Sequence, residues 1–137
     1  MIIDATDQIV GRMATQVAKK ALLGEHIDII NSEKAVISGK KEMVLQRYKQ
    51  RVTRGIPSKG PFFSLLPERF LKRIIRGMLP HKQEKGEKAL KRIMCHRGMP
   101  EKFKDQKTEP VKDASVSRLS TMDYISIGEL CRLLGGE

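Results

Sequence analysis

The first thirty-one residues constrain the fold most, because two short apolar runs flank one helical pattern. The runs are MIIDA at 1–5 and HIDIIN at 26–31, and both have the length of a buried strand. Two strands joined by a helix within about 30 residues favour a parallel pair with a right-handed crossover. The opening therefore predicts an α/β fold. Apolar side chains recur between the runs at the three- and four-residue spacing of a helix face, at Ala14, Val17, Ala18, Ala21 and Leu22, and Gly24 is placed to end that helix.

Beyond residue 31 the pattern continues to mix strands and helices. Gly and Pro mark 55–61 as a loop, and Pro67 suits the first turn of the helix that follows it. The chain is expected to form one domain over 1–137, with 99–123 as an irregular extension. The remaining predictions are strands at 34–38 and 93–97 and helices at 40–54, 67–80, 84–93 and 126–134. The apolar positions of the helix at 40–54 are Met43, Leu45, Tyr48 and Val52.

The positive charge is concentrated in the middle of the chain. The net charge is +11, but residues 41–100 alone carry sixteen Lys and Arg against four Asp and Glu, a net of +12. Residues 1–40 have a net charge of 0 and residues 101–137 a net charge of −1. This asymmetry indicates a dedicated surface for a polyanion rather than a generally basic protein.

Several other functions find no support in the residue pattern. In a Walker phosphate loop around Gly39, Lys34 would stand where a glycine is needed and Lys41 where a Ser or Thr is needed. The GRMA turn has one glycine, whereas a dinucleotide-binding fingerprint needs three. The three histidines are far apart, and no nucleophile triad is recognisable from spacing, although spacing does not exclude one assembled in space. We therefore expect no enzyme activity, cofactor, small-molecule substrate or metal.

The two cysteines and the chain start predict the compartment. Cys95 and Cys131 form no CxxC pair, and MIIDATDQ lacks the basic and apolar parts of a signal peptide. We expect reduced thiols in the cytoplasm, Cys95 in the core and His96 exposed on the opposite face of its strand. No apolar stretch approaches the ~18 residues of a membrane span.

The helix predicted at 67–80 carries a basic stripe beside its apolar stripe. Arg69, Lys72, Arg73 and Arg76 share one helical face, and Glu68 is the sole acid between residue 67 and Pro80. A solvated helix face usually mixes both signs, since like charges one turn apart repel. The stripe is therefore expected to face RNA phosphates, and the turn after Pro80 is expected to extend the surface with His81, Lys82, Lys85 and Lys88. Gly77 either lets a backbone approach closely or simply ends the helix.

Four segments resemble, in order, the family of the large-subunit ribosomal protein numbered thirteen. They are DATDQIVGRMATQVAKKALLG, IINSEKAVISGKK, RGMLPHKQEKGEKALKRI and the following CHRG, which together cover roughly residues 3–98. The short start and the ending YISIGELCRLLGG resemble the archaeal branch. The resemblance implies a three-layer α/β/α domain around a mostly parallel four-stranded sheet, and a structural rRNA-binding protein that joins the large subunit beside other ribosomal proteins.

The resemblance also implies a set of RNA-facing residues. By motif match these are Arg12, Lys34, Lys40, Lys41, Arg76, Gly77, Met78, Lys82 and Lys85, although local spacing favours the core for Met78. The alternatives are an extra-ribosomal regulator of specific mRNAs or DNA elements, and a nucleotide-dependent enzyme on the same scaffold. Six further basic residues of the middle segment complete the predicted set, namely Arg47, Lys49, Arg51, Arg54, Lys59 and Arg92.

Overall fold

A computed structural model describes residues 1–136, which contain five strands and five α-helices. None of these helices combines the length and the apolar character needed to cross a membrane. The predicted α/β class is confirmed. The strands are β1 (Ile2–Asp4), β2 (Ile27–Ile30), β3 (Val36–Ser38), β4 (Ile93–Cys95) and β5 (Tyr124–Ser126), and the helices are α1 (Val10–Leu22), α2 (Lys41–Thr53), α3 (Pro67–Gly77), α4 (Glu84–Lys91) and α5 (Ile127–Leu133).

The β1–α1–β2 opening has the predicted topology. β1 and β2 pair in parallel, with Ile2 opposite Asp28. Gly24 follows α1 with a φ of +100°, the left-handed conformation that a glycine tolerates after a helix. The predicted buried face of α1 is confirmed except at Leu22, which is exposed in the last turn because the helix ends beyond the core there.

The prediction of one four-stranded sheet is wrong. The parallel sheet has three strands in the order β1–β2–β4, and β3 instead pairs antiparallel with β5. The chain leaves the sheet after β2 because Asn31 adopts a left-handed φ of 56° and Ser32–Lys34 then form a 3₁₀ turn. Sequence patterning identified β3 as a strand but contained no information on its partner.

The two faces of the parallel sheet are covered differently. The main core joins residues of all five helices to Ile3, Ile29 and Ile93 of the sheet. A separate small cluster contains Ile2, Ile30 and Phe103, and Phe103 lies on a 3₁₀ turn, Glu101–Phe103, rather than on a helix. Segment 99–123 thus contributes to covering the sheet although it contains no α-helix or strand.

Two apolar positions on the basic helices differ from expectation. On α2, Met43 is 61% exposed and Val44 is buried instead, whereas Tyr48 is buried and Leu45 and Val52 are half-buried, in keeping with the rest of the predicted face. Met78, expected in the core, is 43% exposed, since α3 ends at Gly77 and Met78 lies at its C-cap. Pro67 occupies the first turn of α3 as predicted.

His96 is also placed differently from its prediction. Its Nε2 atom lies 3.0 Å from Oδ1 of Asp28 on β2, and its ring lies 5.3 Å from the Phe103 ring, centroid to centroid. The imidazole is therefore half-buried rather than exposed. β2, through Asp28, and the turn at Phe103 together enclose it, a tertiary contact that strand alternation alone does not reveal.

Ala18 tests how closely α1 packs. It is nearly fully buried in the main core, and α1 contacts both α3 and α4. Ala18→Leu should overpack this site and lower the free energy of unfolding by about 1–3 kcal/mol. Thermal melts would measure the loss, with Gln16→Leu on the exposed face of α1 as the matched control. Equal melting temperatures for the two variants would show that α1 has room at Ala18.

Candidate nucleic-acid interface

Nearly all the predicted RNA-facing residues are exposed, and α2 and α3 carry many of them. Arg92 is the exception: it is half-buried, and its Nη1 atom donates to the backbone oxygen of Ala21 at 3.0 Å. Its guanidinium therefore ties the end of α4 to the end of α1. The exposed residues are Arg12, Lys34, Lys40, Lys41, Arg47, Lys49, Arg51, Arg54, Lys59, Arg69, Arg73, Arg76, Gly77, His81, Lys82, Lys85 and Lys88.

A cleft of about 420 Å³ lies between α2 and α3, with cationic side chains around aromatic ones. Arg51 comes from α2, and Arg73, Arg76 and His81 come from α3 and the turn after it. Three aromatic rings contribute to the same cleft and pack with centroid distances of 4.9 to 6.2 Å, those of Tyr48, Phe63 and Phe70. The aromatic cluster thus joins the two basic helices and holds their arginines side by side.

Two of the arginines are oriented by aromatic rings. The guanidinium carbon of Arg73 lies 4.4 Å from the centroid of the Phe63 ring, and that of Arg51 lies 5.2 Å from the centroid of the Tyr48 ring. Nη1 of Arg73 also donates to the backbone oxygen of Phe62 at 3.2 Å. A guanidinium held in this way loses less side-chain entropy when it binds an anion.

Neighbouring clefts extend this region in both directions. On one side, Arg12 of α1 and Arg47 of α2 line a cleft of about 470 Å³. On the other side, Phe62 and the α3 stripe line a cleft of about 300 Å³. The first cleft shares lining residues with each of the other two, so the three clefts are adjacent. We call this region the α2–α3 basic surface and define it by Arg12, Arg47, Arg51, Arg69, Lys72, Arg73, Arg76 and His81.

The basic side chains of the α2–α3 basic surface have no ion-pair partner among the described residues. In the part that the structure describes, none of the ion pairs includes a residue of this surface. By contrast, Lys41 pairs with Glu129 of α5, and Lys88 pairs with Glu84 one turn earlier on α4. These two lysines belong to the predicted set but carry a partner already.

Lys34 lies on the 3₁₀ turn after β2, beside the Asp4 carboxylate. Burial alone would raise the pKa of Asp4, but hydrogen bonds from Thr6 and Asn31, together with the Lys34 charge, hold this pKa below its ordinary value. Lys34 lines none of the three clefts. The structure thus separates it from the α2–α3 basic surface.

Residue patterning missed the aromatic part of this surface and one glycine. Tyr48, Phe62 and Phe63 were not predicted to contribute, although PFF stands between two basic helices in a chain with only four Phe and two Tyr. Gly86 is buried in α4, and a Cβ atom there would lie 2.0 Å from the backbone oxygen of Pro80. A glycine in the middle of a short helix was the available signal for this close approach.

Gly77 and Gly86 differ in what the fold requires of them. Gly77 is the last residue of α3, has no positive φ, and would have open space around an added Cβ. The fold therefore does not need a glycine at residue 77, although Gly77 does end α3, which is one of the two roles predicted for it. Close approach by a ligand, the other predicted role, stays a prediction.

The cysteines do not offer reactive chemistry. Both are free thiols, and burial raises the pKa of Cys95 to about 12 and that of Cys131 to about 11, with the Glu68 carboxylate adding to both shifts. Such thiols stay protonated at neutral pH and are poor nucleophiles and metal ligands. Within residues 1–136 there is no cluster of three His, Cys, Asp or Glu side chains placed to hold a metal ion.

Comparisons with known proteins agree with the resemblance in the motifs. The family model described as "Ribosomal protein L13" matches residues 1–102. The chain is 43% identical over 135 residues to the "Large ribosomal subunit protein uL13" of Archaeoglobus fulgidus, covering 98% of this chain and 86% of that protein. It is 43% identical over 137 residues to the protein of the same name from Methanosarcina barkeri, covering 99% of this chain and 98% of that protein.

Proposed function

The chain belongs to the ribosomal protein L13 family, and from this premise we propose that it is an archaeal-type structural constituent of the large ribosomal subunit. In this role it binds rRNA and supports assembly of the subunit, where it lies beside neighbouring ribosomal proteins. The family is structural rather than enzymatic, in keeping with the failed nucleotide-binding patterns. The single domain spans 1–137 in this proposal, with 99–123 as its irregular extension.

The observation that carries the RNA-binding proposal is the α2–α3 basic surface. Its arginines line adjacent clefts without an acidic partner among the described residues. Crowded like charges repel one another, and rRNA phosphates would both relieve this repulsion and release their condensed counterions. The surface is thus suited to the phosphate backbone of folded RNA.

The predicted residues are assigned to this function in two groups. The residues of the α2–α3 basic surface form the central contact, and Gly77 allows the RNA backbone to approach the end of α3. Lys82 and Lys85 extend the contact along the turn and α4. The flanking group consists of Lys34, Lys40, Lys41, Lys49, Arg54, Lys59, Lys88 and Arg92.

Sucrose-gradient sedimentation tests the proposed function. A tagged copy of the 137-residue chain, expressed in archaeal cells, should sediment with the large subunit and remain there after a high-salt wash. Retention at high salt separates an assembled component from a loosely bound regulator, because nonspecific phosphate contacts weaken steeply with salt. A protein that stays at the top of the gradient would contradict the proposal and favour a free regulator of specific mRNAs.

A further inference from the structure

Phe62 is an exposed aromatic residue that the folded chain does not use for packing. Its side chain is 70% exposed, whereas Phe63 and Phe70 join the aromatic cluster under α2 and α3. Leaving a large apolar ring in water forgoes the stabilisation that burial of such a side chain contributes.

The loop holds the Phe62 ring in place although the ring is exposed. Gly60 has a φ of +79°, and a Cβ atom at Gly60 would lie 3.0 Å from two carbons of the Phe62 ring, so the ring lies against the Gly60 backbone. On its other side the loop is tied to α3 by the hydrogen bond from Arg73 to the Phe62 backbone oxygen. The ring is thus positioned before any ligand arrives.

The surroundings of Phe62 define the ligand by charge and shape. Phe62 and Leu90 supply apolar area to the cleft of about 300 Å³, while the α3 stripe supplies its cations. Flat apolar area beside several positive groups matches a nucleobase with its flanking phosphates. An acidic peptide would satisfy the cations but not the ring.

We propose that Phe62 stacks on an unpaired base of the rRNA, whose flanking phosphates contact Arg69 and Arg76. The inference rests on the proposed function and adds the kind of RNA element that this part of the surface takes. Bases inside an A-form duplex are already stacked, and only a bulge, loop or strand end presents a free face. The surface therefore combines phosphate contacts with one stacking position, which is tolerant of base identity.

A fluorescence titration tests the inference, since the chain contains no Trp. Phe62→Trp in the full chain places a single reporter in the cleft. Two synthetic RNA hairpins with the same number of phosphates are titrated, one fully paired and one with a single unpaired adenosine. We expect the unpaired hairpin to quench the Trp emission and the paired hairpin to leave it nearly unchanged.

Affinity measurements on the same hairpins use three variants with intact folding. Phe62→Ala should weaken binding of the unpaired hairpin roughly five- to hundredfold, the range that base stacking on an aromatic ring supports, and change the paired hairpin less than about twofold. Phe62→Leu keeps apolar volume without the aromatic face and should resemble Phe62→Ala. Ile56→Ala removes an exposed apolar side chain from the same loop and should bind as the wild type does.

The outcomes separate this inference from the proposed function. If the wild type binds both hairpins equally and Phe62→Ala changes neither, RNA binding stands and the stacking role is wrong. If Phe62→Leu binds like the wild type, the contact is simply apolar and the inference is also overturned. Normal RNA affinity with no Trp quenching by either hairpin would assign Phe62 to a protein neighbour, whereas binding to neither hairpin would overturn the RNA-binding surface itself.

Discussion

Reversing the charge at Arg69 and Arg76 should remove the chain from assembled large subunits while leaving it folded. Both side chains are exposed on α3 and pair with no acid in the part of the chain described. Each reversal to glutamate would remove a charge-assisted phosphate contact and add repulsion between the new carboxylate and the RNA phosphates. The affinity for rRNA should therefore fall by roughly two orders of magnitude or more. Arg73 is left unchanged because its contacts with Phe62 and Phe63 hold the preceding loop.

The matched control for this double variant is Lys104→Glu with Lys107→Glu. Both lysines are exposed in segment 99–123 and line none of the three clefts of the α2–α3 basic surface, and the change in net charge is the same. Sucrose gradients should place the control with the large subunit and the Arg69/Arg76 variant at the top. Equal loss of both from the subunit fraction would mean that total charge, and not the α2–α3 basic surface, determines incorporation.

Gly86→Ala should destabilise the folded chain strongly, although it adds a single methyl group, because Gly86 is buried in α4. The added Cβ would lie 2.0 Å from the Pro80 oxygen, 2.2 Å from the Pro80 carbonyl carbon and 2.9 Å from the His81 nitrogen. These are backbone atoms, so relief requires α4 and the turn at 80–83 to separate. We expect a loss of about 3 kcal/mol, at the upper end of overpacking, and a fall in Tm of roughly 10 °C.

Gly77→Ala is the control for Gly86→Ala, since it makes the same chemical change nine residues earlier. Open space surrounds a Cβ at Gly77, and the helical backbone accepts alanine, so folding should be unchanged or more stable by about 0.4–1 kcal/mol. Calorimetry of the two variants compares the effects directly. A Gly86→Ala protein that melts with the wild type would show that α4 and the turn do not pack as closely as the structure places them.

Local patterning was sufficient for the elements that bury a regular face. The α1 helix with Ala14 and Val17, the parallel pairing of β1 with β2, and the basic stripe of α3 follow from periodicity and chain length, because these depend on residues close in sequence. The concentration of positive charge between residues 41 and 100 indicated a polyanion-binding surface. Recognising this concentration requires only the positions of the charged residues along the chain. Family membership likewise followed from motifs that each fit within about twenty residues.

Contacts between distant segments were decided by the tertiary structure. β3 pairs with β5, some 88 residues further along, because the turn at Asn31 carries it out of the parallel sheet, and strand propensity does not specify a partner. Met78 is exposed because α3 ends before it, and His96 is half-buried because Asp28 and Phe103 meet it from other elements. The sequence by itself determined the elements and the charge of their faces. The way α2, α3 and their loop fold together decided which aromatic rings orient the arginines, and it left Phe62 exposed while Phe63 is packed. Periodic patterns could not show this, because side-chain neighbours separated by tens of residues leave no local periodic signal.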